Sequence, residues 1–333
     1  MPFGPRLAIL LVTLLGLSLT SAGTPLQAQA PGAAAASATA SRDQLAAGLL
    51  RLEYALRDRP PAAAAMPDVN RAFDRLSLQF FAGRFAEAVL ALDSLTMAVE
   101  PDSTVRASQR AVAARALATT SAQTRTLTIG SSAPIPYRVH APAGRAPGVR
   151  LPLIVALHGA GGDENMFLEA YGAGAIRGLA DARGFIVATP LTMPMLRAPD
   201  ALARLIDTVA AELPVDRARV YLLGHSLGAA AAWNLARLRP DLVAAVVCIA
   251  GVCGSVPAPA PPRVPPLLAV VGELDPLATP ARVEALAAEA RAAGRAAEFR
   301  VIPGYGHTLV VGAVLPDVID WLLRQPALSL PRN

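Results

Sequence analysis

Val220-Tyr221-Leu222-Leu223-Gly224-His225-Ser226-Leu227-Gly228, followed at once by the alanine run 229–232, decides the reading of this chain. Four apolar residues with no alternation predict a strand buried on both faces, and the alanines predict a helix straight after it. Between them lies G-x-S-x-G. Gly224 and Gly228 permit a sharp turn and close strand–helix packing, which push Ser226 into an exposed, strained position. The helix N-terminus beneath it supplies backbone donors and a dipole that favours negative charge. Outward from this segment, apolar strands are expected at Leu153–Leu157, Ile186–Thr189, Val243–Ala250, Leu267–Val271 and Phe299–Ile302. Helical stretches are expected near 170–183, 200–212, 227–238, 281–293 and 313–324, with a hairpin from Thr126–Ile129 and Tyr137–Val139 ahead of them. Strands without alternation, separated by helices, imply a mainly parallel α/β sheet covered by helices on both faces. Such a sheet gathers functional residues at the C-terminal ends of its strands.

With Ser226 at that junction, residues 125–325 resemble the α/β-hydrolase superfamily. The resemblance implies a serine nucleophile, then an Asp or Glu, then a His in chain order, together with an oxyanion hole. His140 and His158 precede Ser226, and His225 adjoins it and should point away across the turn. His307, in Gly304-Tyr-Gly-His-Thr308 after the last strand, is left as the base, where the family carries it. In Leu267-Leu-Ala-Val-Val-Gly-Glu-Leu-Asp-Pro276 the family's strand-end acid corresponds to Asp275, with Glu273 in reserve. The oxyanion donors implied are the amides of Leu227 and of Ala160 in Leu157-His-Gly-Ala-Gly-Gly162, with Gly159 and Gly161 as near alternatives and His158 as a loop-stabilising residue. Ser226 would attack an ester carbonyl, and water would release the acyl-enzyme without any cofactor. Relatives with a Leu-His-Gly-x-Gly loop and an export signal include carboxylesterases, feruloyl-esterase-like and polyhydroxyalkanoate-depolymerase-like enzymes, and peptidases. A small or polymeric ester is therefore the expected substrate. A serine peptidase, or a catalytically silent scaffold whose helices bind a protein partner, are the alternatives. Where many relatives insert a lid, Val256–Pro266 is a Pro-rich connector, so the pocket should be open, or roofed by 190–199 with Met193 and Met195 or by the N-terminal helices.

Upstream the periodicity is helical. Residues 1–30 read as a signal peptide, with Arg6, an apolar run Leu7–Leu19 and cleavage signals at Ser21-Ala22-Gly23 and Ala28-Gln29-Ala30. That leader implies a secreted or periplasmic protein, with no stable membrane span after cleavage. Residues 31–40 read as a flexible lead-in and 41–122 as a small all-α region. Ser41 and Gln44 form a capping box, and Leu45, Leu49, Leu52 and Leu56 share one face. Further stripes fall at Val69, Phe73, Leu76 and Phe80, and at Phe85, Val89 and Leu92. The turn Phe81–Ala88 resembles that of a tetratricopeptide repeat, but a single unit suits a helical bundle better.

The two cysteines, Cys248 and Cys253, five apart, read either as a disulfide, which an exported protein allows, or, as the preferred reading, as buried apolar residues that strand geometry carries apart. With four histidines they show no zinc spacing, so no metal is expected. The formal net charge of +5 comes from 30 basic residues against 25 acidic ones in a chain of 333. All 30 are arginine, interspersed with acids as at Arg51, Glu53, Arg57, Asp58 and Arg59, which argues against a nucleic-acid surface.

Overall fold

The computed structural model describes residues 31–130, 133–144, 148–198, 200–253 and 263–329. Contacts divide the chain into Met1–Thr39 and Ala40–Asn333, and the expected signal peptide lies outside the described residues. Four helices come first: α1 Pro31–Asp58, α2 Met66–Phe81, α3 Phe85–Val99 and α4 Ser103–Gln123. Residues 31–40 are therefore helix and not a flexible lead-in, and Ser41 does not cap. Alanine, the strongest helix former, carries α1 upstream to Pro31, a residue that suits a first turn.

The strands β1 Arg125–Leu127, β2 Ile135–His140, β3 Leu151–Leu157, β4 Ile186–Pro190, β5 Val215–His225, β6 Ala245–Ile249, β7 Leu267–Gly272 and β8 Ala297–Ile302 form one sheet. Its order is β1-β2-β4-β3-β5-β6-β7-β8. The β1–β2 and β2–β4 pairs are antiparallel, and every pair from β4 to β8 is parallel. The crossovers carry α5 Ala175–Arg183, α6 Thr192–Arg197, α7 Ala201–Glu212, α8 Leu227–Leu238 and α9 Pro280–Ala292, and α10 Val310–Arg324 closes the fold. Strand β3 shows why both faces need cover. Leu153, Val155 and Leu157 pack with Leu202, Leu205 and Trp233 on one side. Ile154 and Ala156 pack with Phe167, Ile176 and Leu315 on the other.

Three local expectations change. The helix foreseen near 170–183 is two irregular turns, Met166–Ala170 and Tyr171–Gly174, before α5. Gly172 takes φ +59°, which glycine adopts freely, and a Cβ there would stand 3.0 Å from Gly312 Cα of α10. Cys248 and Cys253 are disulfide-bonded, with Cα atoms 6.5 Å apart. β6 stops at Ile249, and Ala250 takes φ +50°, which reverses the chain and brings the second sulfur back. Met195 is a core residue and not part of a roof, because α6 turns it inward, whereas Met193 is exposed.

The helical region has its own apolar cluster of Leu52, Phe73, Leu76, Ala88 and Leu92, and Leu309, just before α10, belongs to the same cluster. Full burial of side chains of this size stabilises by about 1.5–3 kcal/mol each. Among the described residues, no helix is long and apolar enough to cross a membrane.

Candidate active site

Strand β5 delivers Ser226 at φ 53°, ψ −116°, a conformation that costs a non-glycine residue energy. The neighbouring glycines make it attainable. A Cβ at Gly224 would stand 2.1 Å from the Gly228 carbonyl oxygen, and one at Gly228 would stand 1.9 Å from that of Leu157. The Ser226 amide donates to the Ile249 carbonyl at 2.9 Å, which ties the turn to the end of β6. Leu227 opens α8, so its amide is one of the helix's unpaired first donors.

The structure brings three of the expected side chains together. Ser226 Oγ lies 2.9 Å from His307 Nε2. His307 Nδ1 lies 2.9 and 3.0 Å from the two Asp275 oxygens. Both His307 and Asp275 are 3% exposed. With an acid on Nδ1, that nitrogen carries the proton and donates it, leaving the Nε2 lone pair to accept from the serine hydroxyl. Asp275 Oδ1 also accepts the Leu277 and Ala278 amides at 2.8 Å, so its carboxylate is fixed before the histidine is considered. Glu273, the reserve acid, is turned elsewhere. It is exposed and accepts the Gly304 amide at 2.8 Å.

Two of the remaining three histidines hold backbone. His158 Nδ1 donates to the Gly159 carbonyl at 2.8 Å, and its Nε2 accepts the Thr192 amide at 3.1 Å. His225 does not simply point away. Its Nε2 donates to the His307 carbonyl at 3.0 Å, while the Tyr171 hydroxyl donates to its Nδ1 at 2.8 Å. Complete burial holds the His225 imidazole well below its ordinary range, so it stays neutral with one proton, as these bonds require. The Tyr171 oxygen in turn accepts the Gly159 amide. That engages one of the alternative oxyanion donors and leaves Ala160, on the exposed part of the loop, with its amide unbonded among the described residues. His140 sits at the far edge, 2.9 Å from Asp181.

Two residues absent from the sequence reading reach the site from α2. Asn70 Oδ1 accepts the Gly306 amide at 2.8 Å, and both Asp74 oxygens accept the His307 amide at 3.1 Å. Burial pushes the Asp74 carboxyl up to about 6, against the pull of the His307 and Thr308 amides. From the end of the same helix, Phe80 covers Gly161, where a Cβ would come 2.2 Å from its ring. Part of the helical region thus lies over the loop 158–162, one of the roofs the sequence left open. Residues 254–262, most of the Pro-rich connector, lie outside the described residues. The signal for Asn70 and Asp74 was present: they are four apart and fall on the face already marked by Val69, Phe73 and Leu76. Polar residues on an apolar stripe need buried partners.

Comparison with known proteins agrees with this architecture. The family described as alpha/beta hydrolase fold matches residues 152–265. NocK of Nocardia uniformis subsp. tsuyamanensis, a protein provisionally named an esterase, is 35% identical over 159 residues, which are 42% of this chain and 45% of that protein. The chain therefore spans less than half the length of this curated relative. A thermostable esterase of known structure superposes with a TM-score of 0.52 at 22% identity, over 62% of this chain and 63% of that one. The feruloyl esterase module from Clostridium thermocellum, solved with sinapinate, gives 0.52 at 17% identity over 63% of this chain and 90% of that one.

Proposed function

We propose that this chain, a member of the α/β-hydrolase superfamily, is a serine esterase that works through an acyl-enzyme. The observation that carries the proposal is His307 bridging the hydroxyl of strained Ser226 and the buried carboxylate of Asp275. In this reading Ser226 Oγ attacks an ester carbonyl while His307 Nε2 takes its proton. Asp275 keeps the imidazole in the useful tautomer and stabilises the imidazolium without taking the proton itself. The amides of Leu227 and Ala160 receive the oxyanion at the N-terminus of α8, each donor worth about 3 kcal/mol in the transition state. His307 then hands the proton to the leaving alcohol and activates water against the acyl-enzyme. Esterase names among the similar proteins favour an ester over a peptide bond, and the apolar leader favours a secreted or periplasmic site of action.

Fluorophosphonate labelling of the wild type and of Ser226→Ala, beside hydrolysis of short-chain nitrophenyl esters, tests this. The wild type is expected to label and turn over, and Ser226→Ala to do neither. A wild type that neither labels nor hydrolyses overturns the proposal.

A further inference from the structure

We infer that Asp74, together with Asn70, is a positioning residue for this reaction: α2 grips the backbone of the His307 loop and sets a second carboxylate beside the base. The inference rests on the serine-esterase reading above.

Asp275 fixes only the His307 ring. The loop that carries it, Gly304-Tyr-Gly-His, contains two glycines, one with φ +75°, and has little rigidity of its own. Its three consecutive amides, of Gly306, His307 and Thr308, all point at one polar pair on α2: the first at Asn70, the other two at Asp74. Successive amides converging in this way form a concave donor set suited to an anionic acceptor. Asn70 is itself held, donating to the Met66 carbonyl at 3.0 Å. On the opposite side, the His307 carbonyl accepts from His225. Tyr305 within the loop and Leu309 just after it pack into the apolar cluster of the helices. The fit is close, because a Cβ at Gly306 would stand 2.0 Å from Asp74 Oδ2.

The charge of Asp74 matters as well as its bonds. A neutral side chain would satisfy these amides, and a carboxylate held at 6% exposure pays a large desolvation penalty. Ionised Asp74 and protonated His307 attract, and the attraction is mutual. Asp74 therefore favours the imidazolium that forms as Ser226 is deprotonated. The ionisable groups acting on Asp74 from across the interface are His307 and Asp275. On its own helix Arg71 and Arg75 are exposed, and Arg71 is paired with Asp68 at 2.8 Å.

The test measures kcat and KM of the full chain on a nitrophenyl ester across the pH range, with fluorophosphonate labelling in parallel, for wild type, Asp74→Asn, Asp74→Ala and Asn70→Ala. Asp74→Asn keeps an acceptor but no charge, so its activity should lose steepness on the acid side and extend to lower pH, with KM within about twofold. Asp74→Ala and Asn70→Ala should lower kcat, the former by about 10²-fold, with KM little changed. If Asp74→Asn reproduces the wild-type pH profile, the inference is overturned while the esterase reading stands. That profile carries the test even if Asp74→Ala does not fold. A wild type without labelling or turnover removes the esterase reading and the inference with it.

Discussion

The Ser226 turn and the His307 loop face each other across 2.9 Å, yet they are held in opposite ways. The turn is shaped by its own backbone: a strand, two glycines and a helix within nine residues, with hardly any side chain involved. The loop is shaped by side chains from elsewhere. Asp275 lies 32 positions upstream, His225 lies 82, and Asn70 and Asp74 come from more than 230 positions away. Ser226 is held by backbone alone, that of its own turn and of the ends of β3 and β6. The His307 loop, fixed by four remote groups, depends on the docking of α2.

The contrast is most severely tested at the turn. Gly228→Ala places a methyl group 1.9 Å from the Leu157 carbonyl oxygen, with backbone on both sides and no flexible side chain to yield. The expected outcome is loss of soluble folded protein, or of esterase turnover by more than about 10³-fold if the chain folds. Near-normal turnover and thermal stability in Gly228→Ala would mean that the turn is less locally determined than its geometry implies.

The docking of the helices comes next. Glu53 of α1 is buried, its carboxylate near the Gly172 amide and its Oε1 without a partner among the described residues. Burial pushes its carboxyl from the ordinary 4.5 to about 8. A folded state that holds the proton more tightly than the unfolded chain is favoured at low pH. Its stability therefore falls as pH rises from about 4.5 to about 8 and stays reduced above that. Glu53→Gln removes this dependence. Denaturant titration should find the variant more stable than wild type at pH 9 by a few kcal/mol, on the order of 3, and nearly equal near pH 4. Parallel stability curves for the two proteins would contradict the burial of Glu53 against Gly172.

The same contrast explains what the sequence could and could not disclose. The sheet, its helices and the Ser226 turn follow from periodicity and from glycines adjacent in the chain, and they were legible. Asp275 and His307 were legible through resemblance, since chain order and strand ends mark them. Asn70 and Asp74 left a signal, two polar residues on the apolar face of α2, but not the identity of their partners, which are amides of a loop distant in sequence and leave no trace in residue type. The disulfide was left open and not preferred because Ala250, a residue with no turn signature, supplies the reversal.

Gly306→Ala probes the loop with a smaller effect than either change above. The added methyl group meets a side-chain carboxylate 2.0 Å away, and Asp74 can rotate, so the fold should survive. The displaced carboxylate would release the His307 amide and shift the base by a fraction of an ångström. Turnover should fall by about 10²-fold or somewhat less, with fluorophosphonate labelling slowed in proportion and KM little changed. Unaltered turnover would show that Asp275 and His225 alone suffice to hold the loop.

The smallest effect belongs to Glu273, and it separates two carboxylates only two residues apart. Asp275 is buried and touches the His307 ring; Glu273 is exposed and binds the Gly304 amide at 2.8 Å, at the far end of the same loop. An exposed hydrogen bond to a backbone amide contributes about 1 kcal/mol or less. Glu273→Gln retains an acceptor oxygen, so kcat and KM should stay within about twofold of wild type and the melting temperature within a few degrees. Asp275→Asn, by contrast, replaces the acceptor that sets the tautomer of His307 and should lower kcat by about 10⁴-fold. If the two variants lost activity equally, the charge near the base and not the bond to its ring would govern the reaction. The geometry at Nδ1 argues for the bond, because Glu273 carries the same charge and makes no contact with the imidazole among the described residues.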